Sequence, residues 1–168
     1  MSLVVVDEND RVVGSADYDK VHSNGLLHRF VLVYVFDKNG KLFLQKRANS
    51  KKHGKMWAES VCAHVREGED YLKTAKRRLR EELGLDEKIS KVCKIRVDTE
   101  ESGWKNKSFV EIYKCTTSKE PKINPEEIQS GVFMYLQDVK EMFYRQPNSF
   151  VPGFKATFEA FLKSKDPL

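Results

Sequence analysis

Cysteine is scarce: Cys62, Cys93 and Cys115 are the three in 168 residues, far apart and odd in number. No Cys-x-x-Cys pair occurs, which argues against a disulfide framework or a structural zinc and leaves reduced thiols as the simplest reading. No apolar run approaches the length of a membrane span, and no charged-then-apolar leader opens the sequence, so the expected location is the cytoplasm, with no membrane partner. Repeats, low-complexity tracts and interdomain linkers are also missing. One domain over residues 1-168 is therefore expected, with an N-terminal ribbon and loop (1-28), a core (29-146) and a C-terminal helix (147-168). That length buries about two-thirds of the surface that the unfolded chain exposes.

What is present is charge. A third of the residues are charged (33%), the formal net charge is +5 and the isoelectric point is near 9.0. A basic balance suits polyanionic ligands: diphosphates, nucleotides or nucleic acid. The Lys and Arg residues are scattered among acids, and the densest group, Lys76 to Arg80, belongs to a helix. A solvated basic surface is thus the default, and nucleic acid is not the expected partner.

Hydrophobic patterning gives the elements in order. Leu3 to Asp7 and Arg11 to Gly14 read as a two-stranded ribbon, and Ser15 to Leu27 as a polar, irregular segment. Phe30 to Phe36 is apolar on both faces and so suits a covered central strand; Asp37-Lys38-Asn39-Gly40 turns it into Lys41 to Gln45. Cys62 and His64 alternate on one strand and project from one face, with Val61 and Val65 on the other. Ile89 to Val97 and Phe109 to Cys115 read as strands joined by a polar loop over 98-104. Gly131 to Leu136 reads as a strand, 137-144 as a short helix, and Val151 to Lys163 as an amphipathic helix burying Phe154, Phe158 and Phe161 or Leu162. Phe133 and Tyr135 are candidate pocket residues, with core packing as the alternative.

The stretch from Ser60 to Leu85 carries the chemistry. Asp70 is a fitting N-cap and Gly84 a fitting left-handed C-cap, while Leu72, Ala75, Leu79 and Leu83 mark a buried stripe. On the free side Glu81 and Glu82 sit about one turn beyond Arg77 and Arg78, and Glu69 lies at the helix entry. The plain reading is a pair of weak i,i+4 ion pairs; the functional one is a set of carboxylates around a hard divalent cation.

The order of residues resembles the Nudix box, G-x5-E-x7-R-E-U-x-E-E-x-G-U with U aliphatic. Ala63 stands at the first Gly, Glu69 at the first Glu, Arg77 at the Arg, Leu79 at the aliphatic, Glu81 and Glu82 at the Glu pair, Gly84 and Leu85 at the end. Arg78 replaces the Glu after the Arg and removes one carboxylate from the implied metal site. The resemblance implies an α/β fold of Nudix type, an α/β/α sandwich with a mixed β-sheet, and Mg2+ or Mn2+ as cofactor.

Ser60-Val61-Cys62-Ala63-His64 with Arg77-Arg78 is similar to the type I isopentenyl diphosphate isomerase branch of that superfamily. There the Cys is an acid/base, and the His binds a metal together with two N-terminal His and two later Glu. The branch implies His22, His28 and His64 as metal ligands, and Arg47, Lys51 and Lys52 as holders of a substrate diphosphate. It also brings an objection: Lys105-Asn106-Lys107 stands where the branch has Glu-Asn-Glu, and two ammonium groups would repel a cation. Ile95 stands where an assisting Tyr belongs.

Three functions follow from the resemblance. The leading one is a metal-dependent hydrolase of a small-molecule diphosphate, with Glu69, Glu81 and Glu82 on the metal and Glu111 as an extra ligand or base. The runner-up is the isomerase, with Cys62 moving a proton at an allylic carbon; the third is a module that binds a diphosphate or nucleotide without turning it over. The resemblance also allows a homodimer.

Overall fold

The computed structural model describes residues 1–164. Strands β1 (Ser2–Val6) and β2 (Val12–Asp17) form the expected ribbon, pairing antiparallel. The chain then makes a short helix, α1 (Tyr18–Asn24), which ends at Gly25 in the left-handed region. This corrects the irregular reading of 15-27. The segment is too polar and short for a periodic signal, and it is held by burial of Val21 and His22 and by the glycine cap.

The apolar run becomes β3 (His28–Phe36), the centre of a nine-stranded mixed sheet. It turns into β4 (Leu42–Arg47), followed by β5 (Trp57–Ala58), β6 (Val61–His64) and helix α2 (Tyr71–Leu83). Then come β7 (Ser90–Glu101), β8 (Trp104–Thr116), β9 (Ile128–Met134), α3 (Leu136–Arg145), a 3-10 turn (Pro147–Ser149) and α4 (Phe154–Lys163). The last four residues of the expected C-terminal segment lie outside the described residues. β3 is flanked by β6, antiparallel, and β8, parallel. One core lies between the sheet and α2, with Val31, Val33, Val61, Val65, Ala75, Leu79 and Leu83. The other lies beneath α3 and α4, with Leu32, Tyr34, Val110, Ile112, Phe143, Phe154, Phe158 and Phe161. The protein is therefore an α/β sandwich, as expected.

Two further expectations change. The segment 98-104 is no loop: β7 and β8 continue through it, pairing Asp98 with Lys107 and Glu101 with Trp104. They close on Ser102 and Gly103, at φ +50° and +79°, the geometry of a two-residue primed turn. In α2 the side chain of Asp70 accepts from the Lys73 amide at 2.7 Å and Gly84 closes the helix in the left-handed region, as its caps suggested. The buried stripe begins at Tyr71, while Leu72 is exposed. Tyr71 is drawn inward because its hydroxyl reaches the carboxylate of Asp10 at 3.0 Å.

Candidate active site and metal centre

α1, β3 and β6 each bring one imidazole to a common point. The ring nitrogens of His22, His28 and His64 lie within 4.8 Å of one another, the one such group of His, Cys, Asp or Glu ligands among the described residues. His22 is in the last turn of α1 and His28 opens β3; His64 ends β6 opposite Phe30. Two of the rings are oriented by the backbone: Nδ1 of His22 meets the Tyr18 carbonyl at 2.8 Å and Nδ1 of His28 the Leu26 carbonyl at 3.0 Å. Donating there fixes the Nδ1–H tautomer and aims the Nε2 lone pairs inward, as in a metal-ligating histidine. His28 Nε2 is buried with no hydrogen-bond partner, and His64 Nε2 lies 3.2 Å from His22 Nε2. Burial holds all three below the usual imidazole range, His28 at about 4, with the neighbouring rings adding to the effect on His28 and His64. The rings are therefore neutral at physiological pH, the form that binds metal. An orphaned buried nitrogen and backbone-fixed tautomers fit a divalent ion.

The repulsion expected from Lys105 and Lys107 does not arise, although the two carboxylates of the branch are still replaced. Side chains alternate along β8, and it is Asn106 and Ser108 that line the cavity beside the histidines. Ser108 pairs with His28 in register; the Asn106 amide lies against His28, with its Oδ1 buried and unpartnered. The Lys105 side chain instead lies near Gly25, and Lys107 is exposed. Neither lines the cavity.

Cys62 is two residues before His64 and projects into the same cavity, as the alternation along β6 requires. Its walls include Phe30, Leu32, Val97, Trp104 and Val110, with Glu59 and Thr157 among them. Burial pushes the Cys62 thiol up to about 12, although Arg47 opposes the shift, so the sulfur is a protonated thiol. Arg47 Nη1 lies 3.6 Å from that sulfur. Of the three cations expected to hold a diphosphate, Arg47 lines both this cavity and an adjoining one, Lys52 lines the first and Lys51 the second. Lys52 caps the Trp104 ring at 4.0 Å, and Lys51 pairs with Glu127 at 3.0 Å.

The adjoining cavity is basic, with Arg66, Arg77 and Arg78 beside Arg47 and Lys51. Here the carboxylates expected to gather on a cation are laced with guanidinium groups. Glu69 takes two hydrogen bonds from Arg77 at 2.7 and 2.9 Å; Glu81 is shared by Arg77 and Arg78 at 2.9 and 3.0 Å. Glu82 is held by Arg78 at 2.7 Å and by Gln45 at 3.1 Å, and Arg78 also reaches Glu127 at 3.5 Å. Glu82 is not on the free side of the helix: it is 2% exposed, and burial pushes its carboxyl up to about 7 against the pull of Arg78. Glu111 lies elsewhere. In register with Val31 it faces the α2 side of the sheet, where it bonds Lys91 at 2.6 Å and Tyr113 at 2.6 Å.

The family model for the NUDIX domain matches residues 26–154. The chain belongs to the Nudix family. Among curated relatives it is 32% identical over 158 residues to the isopentenyl-diphosphate Delta-isomerase of Pectobacterium atrosepticum, covering 93% of this chain and 88% of that one. It is 35% identical over 154 residues to the enzyme of the same name from Serratia proteamaculans, covering 90% and 86%. In fold it is similar to DR0079 from Deinococcus radiodurans, with a TM-score of 0.71 at 22% identity, covering 86% of this chain and 90% of the other.

Within this Nudix scaffold the structure brings His22, His64, Cys62, Arg47 and Lys52 to one cavity, with His28 buried against the two histidines. It sets Lys51 and Glu82 next door and leaves Glu111 apart. Phe133 packs in the core against Phe43, and Tyr135 is exposed beneath Lys41, so neither edges the cavity. Sequence reasoning missed Tyr18, Glu59, Trp104, Asn106 and Ser108. The signal that could have found Trp104, Asn106 and Ser108 is their spacing of two along a strand, visible once 98-104 is read as strand.

Proposed function

We propose that this Nudix protein is an isomerase of the isopentenyl-diphosphate type, moving the double bond of a small homoallylic diphosphate. The observation that carries the reading is the joining of Cys62 to a cluster of three histidines at a mostly apolar cavity that Arg47 and Lys52 also line. The names of the relatives support it. Arg47 and Lys52 bind the diphosphate; Arg offers paired donors and Lys a point charge. The walls of Phe30, Leu32, Val110 and Trp104 take the hydrocarbon and exclude water. The Cys62 thiol gives or takes the proton at the allylic system. His22, His28 and His64 hold a divalent ion, which supplies fixed positive charge beside the thiol. An all-imidazole set favours a transition metal, so Mn2+ is preferred to Mg2+.

The test is isopentenyl diphosphate incubated in deuterated buffer with Mn2+-loaded protein and followed by NMR. Deuterated dimethylallyl diphosphate is expected from the wild type and none from Cys62→Ala. Unchanged substrate with the wild type overturns the reading.

Hydrolysis is the second reading, favoured by Glu82 lining the basic cavity. Against it stand the guanidinium groups already bonded to Glu69, Glu81 and Glu82. Phosphate release that is lost in Glu82→Gln would establish it.

A further inference from the structure

Moving a double bond by proton transfer needs two groups, because one proton must reach one carbon as another leaves a carbon two bonds away. Cys62 is one group. The positions that face the histidines from β8 hold Asn106 and Ser108, and neither is an effective proton carrier near neutral pH. Two carboxylates line the cavity. Glu101 is at its rim, more than half exposed and 3.6 Å from His53. The other is Glu59.

Glu59 sits in the link between β5 and β6 and is 3% exposed. Its Oε1 accepts from the Thr157 hydroxyl of α4 at 2.5 Å. That contact places it on the same side of the sheet as Cys62, whose neighbours are the residues beneath α3 and α4. The fully buried Tyr34 adds a hydroxyl with no partner, and the Glu59 charge acts on it. Glu69, Glu81 and Glu82 are each bonded to Arg, but Glu59 is bonded to a hydroxyl. The cation that acts on it is Arg47, already committed to the Lys52 carbonyl and the Cys62 sulfur. A carboxylate without its own guanidinium, buried in the wall of this cavity, is costly to keep unless it has work to do there.

We propose that Glu59 is the second proton-transfer group of this cavity, serving the carbon of the allylic system that Cys62 does not serve. The proposal rests on the isomerase reading. In one direction Cys62 delivers its thiol proton to the terminal carbon of the double bond, and Glu59 removes a proton from the carbon next to the diphosphate-bearing carbon. The C–H electron pair becomes the new double bond. One proton enters the substrate and one leaves; the two side chains finish with their protonation states interchanged and reset by exchange with solvent. Positive charge develops between them, and the Glu59 carboxylate faces it.

The competing role is a strut in which Glu59 merely holds α4 to the sheet through Thr157. Glu59→Gln keeps an acceptor for Thr157 and removes the base; Thr157→Val removes the donor and keeps the base. With isopentenyl diphosphate and Mn2+-loaded protein, Glu59→Gln is expected to lose about 10²- to 10⁴-fold in kcat. KM and Tm stay close to wild type in Glu59→Gln, whereas Thr157→Val, which breaks the contact to α4, is expected to lower Tm and to lose far less kcat than Glu59→Gln. A second readout needs no turnover. Calorimetry compares 2-(dimethylamino)ethyl diphosphate, whose ammonium mimics the developing charge, with neutral 3-methylbutyl diphosphate. The preference for the cationic compound should fall at least tenfold in Glu59→Gln and persist in Thr157→Val.

Full kcat together with an unchanged preference in Glu59→Gln overturns the proposal. If the wild type does not isomerise, the functional reading fails by itself. The analogue preference then decides the role of Glu59: a fall supports it as the charge facing the reacting carbons, and no change rejects it. Glu59→Asp, which withdraws the carboxylate by one methylene, gives the same comparison should the Gln variant not fold.

Discussion

The Nε2 atoms of His22 and His64 face each other at 3.2 Å, with the unpartnered Nε2 of His28 beside them. The Nε2 atoms of His22 and His28 are both acceptors, and without a cation the His64 Nε2–H can satisfy His22 while His28 is left unpaired. Metal binding should therefore stabilise the fold. At a hundredfold excess over Kd the gain is about 2.7 kcal/mol, or roughly 5–10 °C in Tm for a chain of this size. A thermal melt with and without Mn2+ checks it, and the shift should vanish in His22→Ala.

Arg78 is the built-in counter-ion of Glu81, Glu82 and Glu127. Replacing it with Glu puts four carboxylates together around a buried position. Arg78→Glu should lose about 3–5 kcal/mol in chelator, the cost of breaking a buried pair. Millimolar Mg2+ should restore much of that loss in Arg78→Glu and give no such rise in the wild type, as denaturant titrations would read out.

Glu69 gives a pH signature. Paired hydrogen bonds from Arg77 hold its carboxyl at about 2, well below the usual carboxylate range. A depressed carboxyl contributes stability that is complete above its unfolded pKa, near 4.5, and is lost as the pH falls toward 2. Allowing for solvent screening, the contribution is about 1–2 kcal/mol. Between pH 5 and pH 2, Glu69→Gln should lose that much less stability than the wild type.

Gly131 in β9 pairs with Gln45 of β4, and the ring of Phe43, two residues along β4 on the same face, lies over it. A Cβ there would fall 2.0 Å from Phe43 Cζ, and that ring is 4% exposed with no room to retreat. Gly131→Ala should cost about 1–3 kcal/mol, and Phe43→Leu should recover part of the loss in the double variant.

How much of this was legible depends on whether the signal was local. The central strand showed in seven consecutive apolar residues, and the caps of α2 in Asp70 and Gly84, because each needs only its own neighbours. The plain reading of Arg77 with Glu81 and Arg78 with Glu82 is met by ion pairs at 2.9 and 2.7 Å, since i,i+4 neighbours need only the helix itself. The site itself was half legible. Cys62 and His64 share a face by simple alternation, but Asn106 and Ser108 meet His28 only through the register of β8 on β3. Glu59 meets Thr157 across 98 positions of sequence. No local pattern encodes either meeting. Helix α1 was hidden because its stability comes from burying Val21 and His22 in a segment with little helical periodicity of its own.

The parallel pairing of β3 with β8 also bears on how the molecule is made. Residues 28–36 cannot find residues 108–116 until the intervening chain has closed a long loop, and such non-local pairing is slow relative to hairpins and helices. The β7–β8 hairpin and α2 are local and form early, whereas His28 meets Asn106 and Ser108 only when this last seam closes. The cavity is thus complete only once this seam has closed, and an ion held by the histidine cluster is expected to slow unfolding more than it changes the rate of folding.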